Sequence, residues 1–393
     1  MGKKASRTGS DRKISPGLII IICLLLVIAT AIVTYVLTTG GLSGREYIQG
    51  VKNYAEIERT ISDNYIGEIE PNTMHGAASA AMVRALGDKW SYYMTAEEYA
   101  TYKLSSANEY AGVGMNIAAN EDGEYEINSV TQGTPAAAAG LAEGDTIVSV
   151  DGQKVKGLSL MQVQDLIRSK LNKDFSMVVA DPSGEELSIS LKCAEAYVSP
   201  VVFRIMDGNI GYVAIKNFEA GCADDVKAAI EYLISTGATS FVFDLRDNPG
   251  GLFSELSSIL DYLLPDGNLY TSVDRNGHKE VVKSDKICLK YKMAVIVNEN
   301  TYSAAEFFAA AIQEYNWGSV VGTQTSGKGR SQITVELSNG DAIHISTCKY
   351  LTSKGVDIVQ TGGITPNVVV SLNDETEGDE QVAAAIKAIK TLS

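Results

Sequence analysis

The sequence predicts a layered α/β core joined to a smaller α+β unit, a helical segment and one long apolar helix. Three observations carry this. After about Tyr197 strand-like and helix-like runs alternate. Between about 109 and 196 short strands are separated by turn residues. Residues 17–38 contain no charged side chain. At 393 residues the chain is also too long for one ordinary core.

Taken in order, residues 1–16 form a basic tail. Lys3, Lys4, Arg7, Arg12 and Lys13 against Asp11 give it a net charge of +4, which leaves −19 for the remainder within the total of −15. A body that acidic excludes nucleic acid as a partner, because phosphate backbones are held by Lys and Arg. The run 17–38 is rich in Ile, Leu and Val. As a helix it would span roughly 33 Å, enough for a hydrocarbon core of about 30 Å. Basic residues before it predict a single-pass helix in a bacterial cell membrane, with a cytoplasmic N-terminus and everything after Thr39 outside. A cleaved signal peptide is the competing reading, with TTGGLSG as a weak cleavage site. Cys193, Cys222, Cys288 and Cys348 are far apart and show no staple pattern, which predicts free thiols.

Residues 45–108 read as helical. Tyr47, Val51, Tyr54, Ile57 and Ile61 recur at helical spacing, and MHGAASAAMVRALGD gives a second helix with Gly87 as its stop. Neither run carries a catalytic signature. Their Tyr and Met residues suit a core or a subunit contact.

In the unit 109–196, GTPAAAAGLAEGDTIVSVDGQ is the most readable stretch. Thr134 caps a short helix, Pro135 takes its first position and Gly140 ends it. A strand follows over Thr146–Val150, and Asp151-Gly152 turns it tightly. This pattern resembles a bacterial PDZ domain. The resemblance implies that AGVGMNI is the loop whose amides take a peptide's terminal carboxylate, with Gly112, Val113, Gly114 and Met115 in that role. On its own, the Gly-Val-Gly string equally fits a bulge at a strand start.

The core, 197–372, carries the chemistry. NIGYVAIKNF, TSFVFDLRDNPGG, MAVIVN, VVGT and ITVEL read as strands or strand ends, and Cys222–Thr236 as a helix. Ser303 follows an apolar strand in VNENTYSAAEFF, and Lys328 lies twenty-five residues on, between Gly327 and Gly329. Ser303-Ala304-Ala305-Glu306 spells a capping box, yet a serine at a strand-to-helix junction also meets free N–H groups and positive potential. The three histidines, His75, His278 and His344, lie in no G-x-S-x-G context, which argues against a histidine triad. A lysine base must be neutral to act, whereas an ordinary lysine is neutral in roughly one molecule in 2,500 at pH 7. Lowering its pKa by about three units needs about 4 kcal/mol, within reach of burial. Lys328 is therefore expected to be enclosed, with no carboxylate beside it. Gln332 offers an amide to orient the amine, and Ala304 with Gly250 or Gly251 offers oxyanion donors. The tail, 373–393, ends in a short amphipathic helix.

LGDKWSYYM, DLRDNPGG, VNENTYSAAEF, VGTQTSGKGRSQ, STCKYLTSKG and GGITPNVVV together resemble the carboxy-terminal processing, or tail-specific, proteases. The resemblance implies a serine endopeptidase with a crotonase-like β/β/α spiral core and an inserted PDZ domain. It also implies Ser303 as nucleophile, Lys328 as base, Gln332 assisting, no cofactor and no metal. Protein or peptide tails would be the partners, and a homodimer is expected. Asn300-Thr301-Tyr302 departs from the small residues usual before the nucleophile, which bears on substrate preference. An inactive PDZ adaptor that binds peptide C-termini is the alternative, and an acyl-CoA enzyme a more distant one.

Overall fold

The structure, a computed structural model, describes residues 16–39, 44–120, 122–131, 134–372 and 378–391. The expected basic tail lies outside them except for Pro16, as does the start of the expected C-terminal segment. The chain divides into two units, Met1–Ala77 and Ala78–Ser393.

The first unit is helical, as its periodicity predicts. Pro16–Thr39 is a helix of 24 residues, followed by Gly44–Asn64 and the start of Pro71–Arg84. Among the described residues no helix is long and apolar enough to cross a membrane, so the expected span is met only by a helix in the expected place. On Gly44–Asn64 the apolar stripe of Val51, Tyr54 and Ile57 is exposed rather than buried in a core. His75 meets Glu58 at 2.9 Å and packs on the Tyr54 ring.

In the second unit the smaller subdomain is an antiparallel sheet. Its order is Met115–Ala119, Tyr125–Val130, Thr146–Val150, Asp174–Ala180, Glu186–Lys192. Ile127, Val150, Val163 and Met177 fill its core. Thr134 accepts from the Ala137 N–H at the helix Pro135–Ala138, and Asp151 and Gly152 both adopt positive φ, 47° and 76°, as a tight hairpin requires. Glu109–Gly112 and Ala194–Tyr197 pair antiparallel, so the chain enters and leaves this subdomain through one two-stranded ribbon.

The larger subdomain is built on a six-stranded sheet. Its order is Val201–Met206, Ile210–Ile215, Ser240–Asp244, Lys292–Val297, Gly318–Gly322, Val368–Val369, parallel except for the first pair. Alternate residues on each strand face opposite ways. Val213, Phe243 and Val295 pack beneath the helices Cys222–Ser235, Phe253–Leu263 and Ala304–Glu314. Tyr212, Val242, Ala294 and Ile296 meet the terminal helix Glu380–Thr391 through Val382, Ala385 and Ile389. Both faces are covered, which is why these strands read as unbroken apolar runs.

A second sheet runs Tyr92–Met94, Ala342–Thr352, Gly267–Asp274, Lys279–Ser284, with Arg330–Glu336 along the other edge of Ala342–Thr352. Tyr92–Met94 corrects the all-helical reading of 45–108. Three residues are too few to show a period of two, and their partner, with Tyr92 opposite His344, lies far along the chain.

Candidate active site

Ser303 stands where strand Lys292–Val297 hands over to helix Ala304–Glu314. It is 6% exposed and has φ 52° and ψ −121°. A non-glycine residue held there stores strain of order 1–3 kcal/mol, which the surroundings must overcome. They do so through backbone ties. The Tyr302 N–H donates to the Asn248 carbonyl at 2.9 Å, and the Thr301 hydroxyl to the Leu245 carbonyl at 2.9 Å. The turn before Ser303 is thereby fastened to the Asp244–Gly251 loop. At the expected capping box the Ser303 N–H donates to Glu306 Oε2 at 2.9 Å, and the Glu306 N–H donates to the Ser303 carbonyl at 2.8 Å.

Glu306 has a larger part than sequence reasoning gave it. Fully buried, its carboxylate accepts from the Ser303 N–H, the Thr325 and Ser326 hydroxyls, and the N–H groups of Gly327 and Lys328, at 2.6–3.1 Å. One side chain thus pins the serine turn to the lysine turn. The signal for it was a lone acid inside SAAEFFAAAI, where every other helical residue is apolar.

Lys328 is half-buried. Burial depresses its pKa, while Glu306, then Glu219 and Asp88, pull it back up and Lys89 pushes it down. The expectation of an enclosed lysine holds in direction. Three acids act on the amine, although none forms an ion pair with it among the described residues. The amine lies over the Trp90 ring, 4.4 Å from its centroid. No hydrogen bond among the described residues joins Lys328 to Ser303.

Gln332 Nε2 donates to the Ser346 hydroxyl at 3.0 Å and the Arg330 carbonyl at 3.1 Å, and no hydrogen bond among the described residues joins Gln332 to Lys328. It lies on a strand paired to Ala342–Thr352, which turns its amide toward that neighbour.

At the other wall, Gly250 has φ 95°, and a Cβ there would sit 2.8 Å from the Ser303 Cβ and 3.1 Å from the Ala304 nitrogen. Only glycine fits. Its N–H, however, is engaged by Asn248 Oδ1 at 2.8 Å. Gly251 bridges Phe218 through its neighbours, with the Phe218 N–H donating to the Gly250 carbonyl and the Leu252 N–H to the Phe218 carbonyl. Among the described hydrogen bonds none uses the N–H of Gly251 or Ala304.

In the smaller subdomain, Gly112, Val113, Gly114 and Met115 line a groove of about 430 Å³ together with Gln164, Ile167 and Arg168. The carbonyls of Val113 and Gly114 turn inward to accept from the N–H groups of Ala136 and Thr131. Gly114 has φ 89°, and a Cβ on it would collide with Thr134. Leu104 and Ser105, from helix Ala96–Ser106, close part of the groove.

Fold and site together define a serine peptidase with an inserted peptide-binding domain. Residues 209–370 match Peptidase family S41, and residues 103–179 match the PDZ domain. The carboxy-terminal processing protease CtpA of Bacillus subtilis is 29% identical over 363 residues, covering 91% of this chain and 78% of that protein. A CtpA-like serine protease of Staphylococcus epidermidis is 28% identical over 359 residues, covering 90% and 72%. A solved S41 protease of Bacteroides fragilis shares the fold at 17% identity and a TM-score of 0.50, covering 84% of this chain and 92% of its own. The chain belongs to the carboxy-terminal processing serine peptidases of family S41 and carries a PDZ domain.

Proposed function

We propose that this peptidase is an endopeptidase in which Ser303 is the nucleophile and Lys328 the base, and that its PDZ groove collects substrate C-terminal tails. The observation that carries the reading is the strained Ser303. It sits at a helix start beside Gly250, and Glu306 ties it to the backbone of Lys328. Neutral Lys328 takes the hydroxyl proton as the Ser303 oxygen adds to a peptide carbonyl. The N–H groups of Ala304 and Gly251 receive the oxyanion, and Gly250 leaves room for it beside Ser303. As the C–N bond breaks, the lysinium gives its proton to the leaving amine. Water then adds to the acyl-enzyme by the same route and frees Ser303.

Gln332 acts through Ser346 in this scheme, not on the amine. The amides of Gly112–Met115 take the terminal carboxylate, with Gln164 and Ile167 facing the last side chains. The alternation of strands and helices in the core supports a crotonase-like spiral. The 22 uncharged residues of 17–38, preceded by a basic tail, support a membrane tether with the catalytic part outside. The exposed Val51, Tyr54 and Ile57 support a homodimer. Alkaline extraction of membranes and sedimentation of the detergent-solubilised chain test these last two.

Ser303→Ala and Lys328→Ala are each expected to abolish cleavage of a tailed protein substrate, read by mass spectrometry of the fragments, and Ser303→Ala to abolish fluorophosphonate labelling. Full activity in folded Lys328→Ala would refute the base assignment.

A further inference from the structure

Lys328 rests on an aromatic face rather than on the serine hydroxyl. Its Nζ is 4.4 Å from the centroid of Trp90, and the Nζ of Lys89 is 4.5 Å from the same centroid. The ring edge meets Tyr302, the residue before Ser303, with centroids 6.0 Å apart. Trp90 therefore touches both turns that supply the reacting groups.

Its position is fixed from behind. The Asp88 carboxylate accepts from the Trp90 backbone N–H at 3.2 Å and from the Ser91 hydroxyl at 2.5 Å. Ser91 Oγ in turn accepts from the Ser346 N–H at 3.0 Å, and the Ser346 hydroxyl receives Gln332 Nε2. A continuous set of bonds thus runs from Gln332 through Ser346, Ser91 and Asp88 to the backbone of Trp90.

An indole face attracts an ammonium and has no comparable attraction for a neutral amine. The contact therefore holds the lysine in the protonation state that cannot act as a base. We propose that Trp90 is a positioning residue, which parks the Lys328 amine in its charged form in the resting enzyme and must release it for Ser303 to be activated. This rests on the Ser303–Lys328 reading.

The other charged or titratable groups acting on the amine are Glu306 on the Ser303 helix, Glu219 before helix Cys222–Ser235, Asp88 and Lys89 on the tryptophan turn, and His344 on the facing strand. His344 is pushed down to about 4 by burial and the lysine charge, and so is neutral near pH 7. Glu219 is pushed up to about 7, chiefly by burial, and titrates where activity is to be measured. A Glu219→Gln background separates its titration from that of Lys328.

The test uses the full chain in detergent. The acidic limb of kcat/KM against pH reports the base of the free enzyme. Losing a contact that favours the charged amine lowers that pKa. Trp90→Phe, with a weaker quadrupole, should move the limb down slightly, and Trp90→Leu, with none, by about half to one and a half pH units. On the limb kcat/KM should then rise about threefold or more. The second measurement does not depend on activity. With the other tryptophan replaced by Trp317→Phe, the emission of Trp90 should change with pH across the limb, and Lys328→Met should abolish that change. An unmoved or raised limb in both Trp90 variants, with Lys328→Ala inactive, would overturn this inference alone. Emission that titrates identically in Lys328→Met would overturn it as well, whether or not the variants fold well enough to cleave. An active Lys328→Ala would overturn the base assignment and this inference together.

Discussion

Glu219 shows how one half-buried side chain near the site governs stability. Its carboxyl is pushed up from 4.5 to about 7, first by burial, with Lys328 opposing and Glu255 adding to the shift. Between those values the folded chain holds a proton that the unfolded chain has released, so stability falls as pH rises across the window and the loss is complete above about pH 7. The upper bound is about 3 kcal/mol. Glu219→Gln removes the penalty, so its advantage over the parent should be near zero at pH 4 and reach about 1–3 kcal/mol at pH 8 by urea denaturation. A constant difference at both pH values would refute the assignment. At this scale the place of Ser303 at a strand-to-helix junction was legible in the apolar run before it and the helix-like run after it. Gln332 was not, since its partner Ser346 is reached only across a pair of strands, and no local pattern reports which way an amide turns. Trp90 was hidden for the same reason: its contact with Lys328 joins residues far apart in sequence.

Among the elements, the terminal helix Glu380–Thr391 is joined to the end of strand Ser240–Asp244 by an ionic clamp. Arg246 meets Asp244 at 2.5 Å and Asp379 at 2.8 Å, and its Nη1 donates to Gln381 Oε1 at 3.2 Å. The Tyr212 hydroxyl donates to the same Asp244 oxygen at 2.6 Å. Asp244 is nearly buried, whereas the Asp379 side chain is 36% exposed. Removing the cation should therefore hurt far more than removing the outer anion. Arg246→Met leaves Asp244 uncompensated and is expected to cost about 3–5 kcal/mol, against about 1 kcal/mol or less for Asp379→Asn. Asp244→Asn added to Arg246→Met should recover part of the loss. Equal midpoint shifts for the two single variants would sink the clamp. The helix itself was legible from its amphipathic spacing, and the core strands from their apolar runs. The strand Tyr92–Met94 was not, because it exists through pairing with Ala342–Thr352 and has almost no pattern of its own.

Within the larger unit, the peptide groove and the serine turn are linked by a short chain of backbone contacts that converges on Asn108. This residue lies 8% exposed at the foot of the two-stranded ribbon, in a left-handed conformation with φ 52°. Its carbonyl accepts from the Val198 N–H, and its side chain donates to the Ala220 carbonyl at 3.0 Å and accepts from Asn217 Nδ2 at 2.8 Å. Between those two partners lies Phe218, the residue paired with the Gly250–Leu252 backbone. A shift of the ribbon when a tail enters the groove would therefore reach the glycines beside Ser303 through a fixed set of hydrogen bonds. Asn108→Gly keeps the left-handed backbone and removes only the side-chain ties. It should bind a tail peptide with a Kd within about twofold of the parent, since no groove residue changes, and lose about tenfold of the kcat advantage that a free C-terminal carboxylate gives over the amidated substrate, a coupling within the usual range between sites. Paired titration and cleavage measurements on both substrates decide it. If Asn108→Gly keeps the full carboxylate advantage, the groove and the serine turn communicate by another route or not at all.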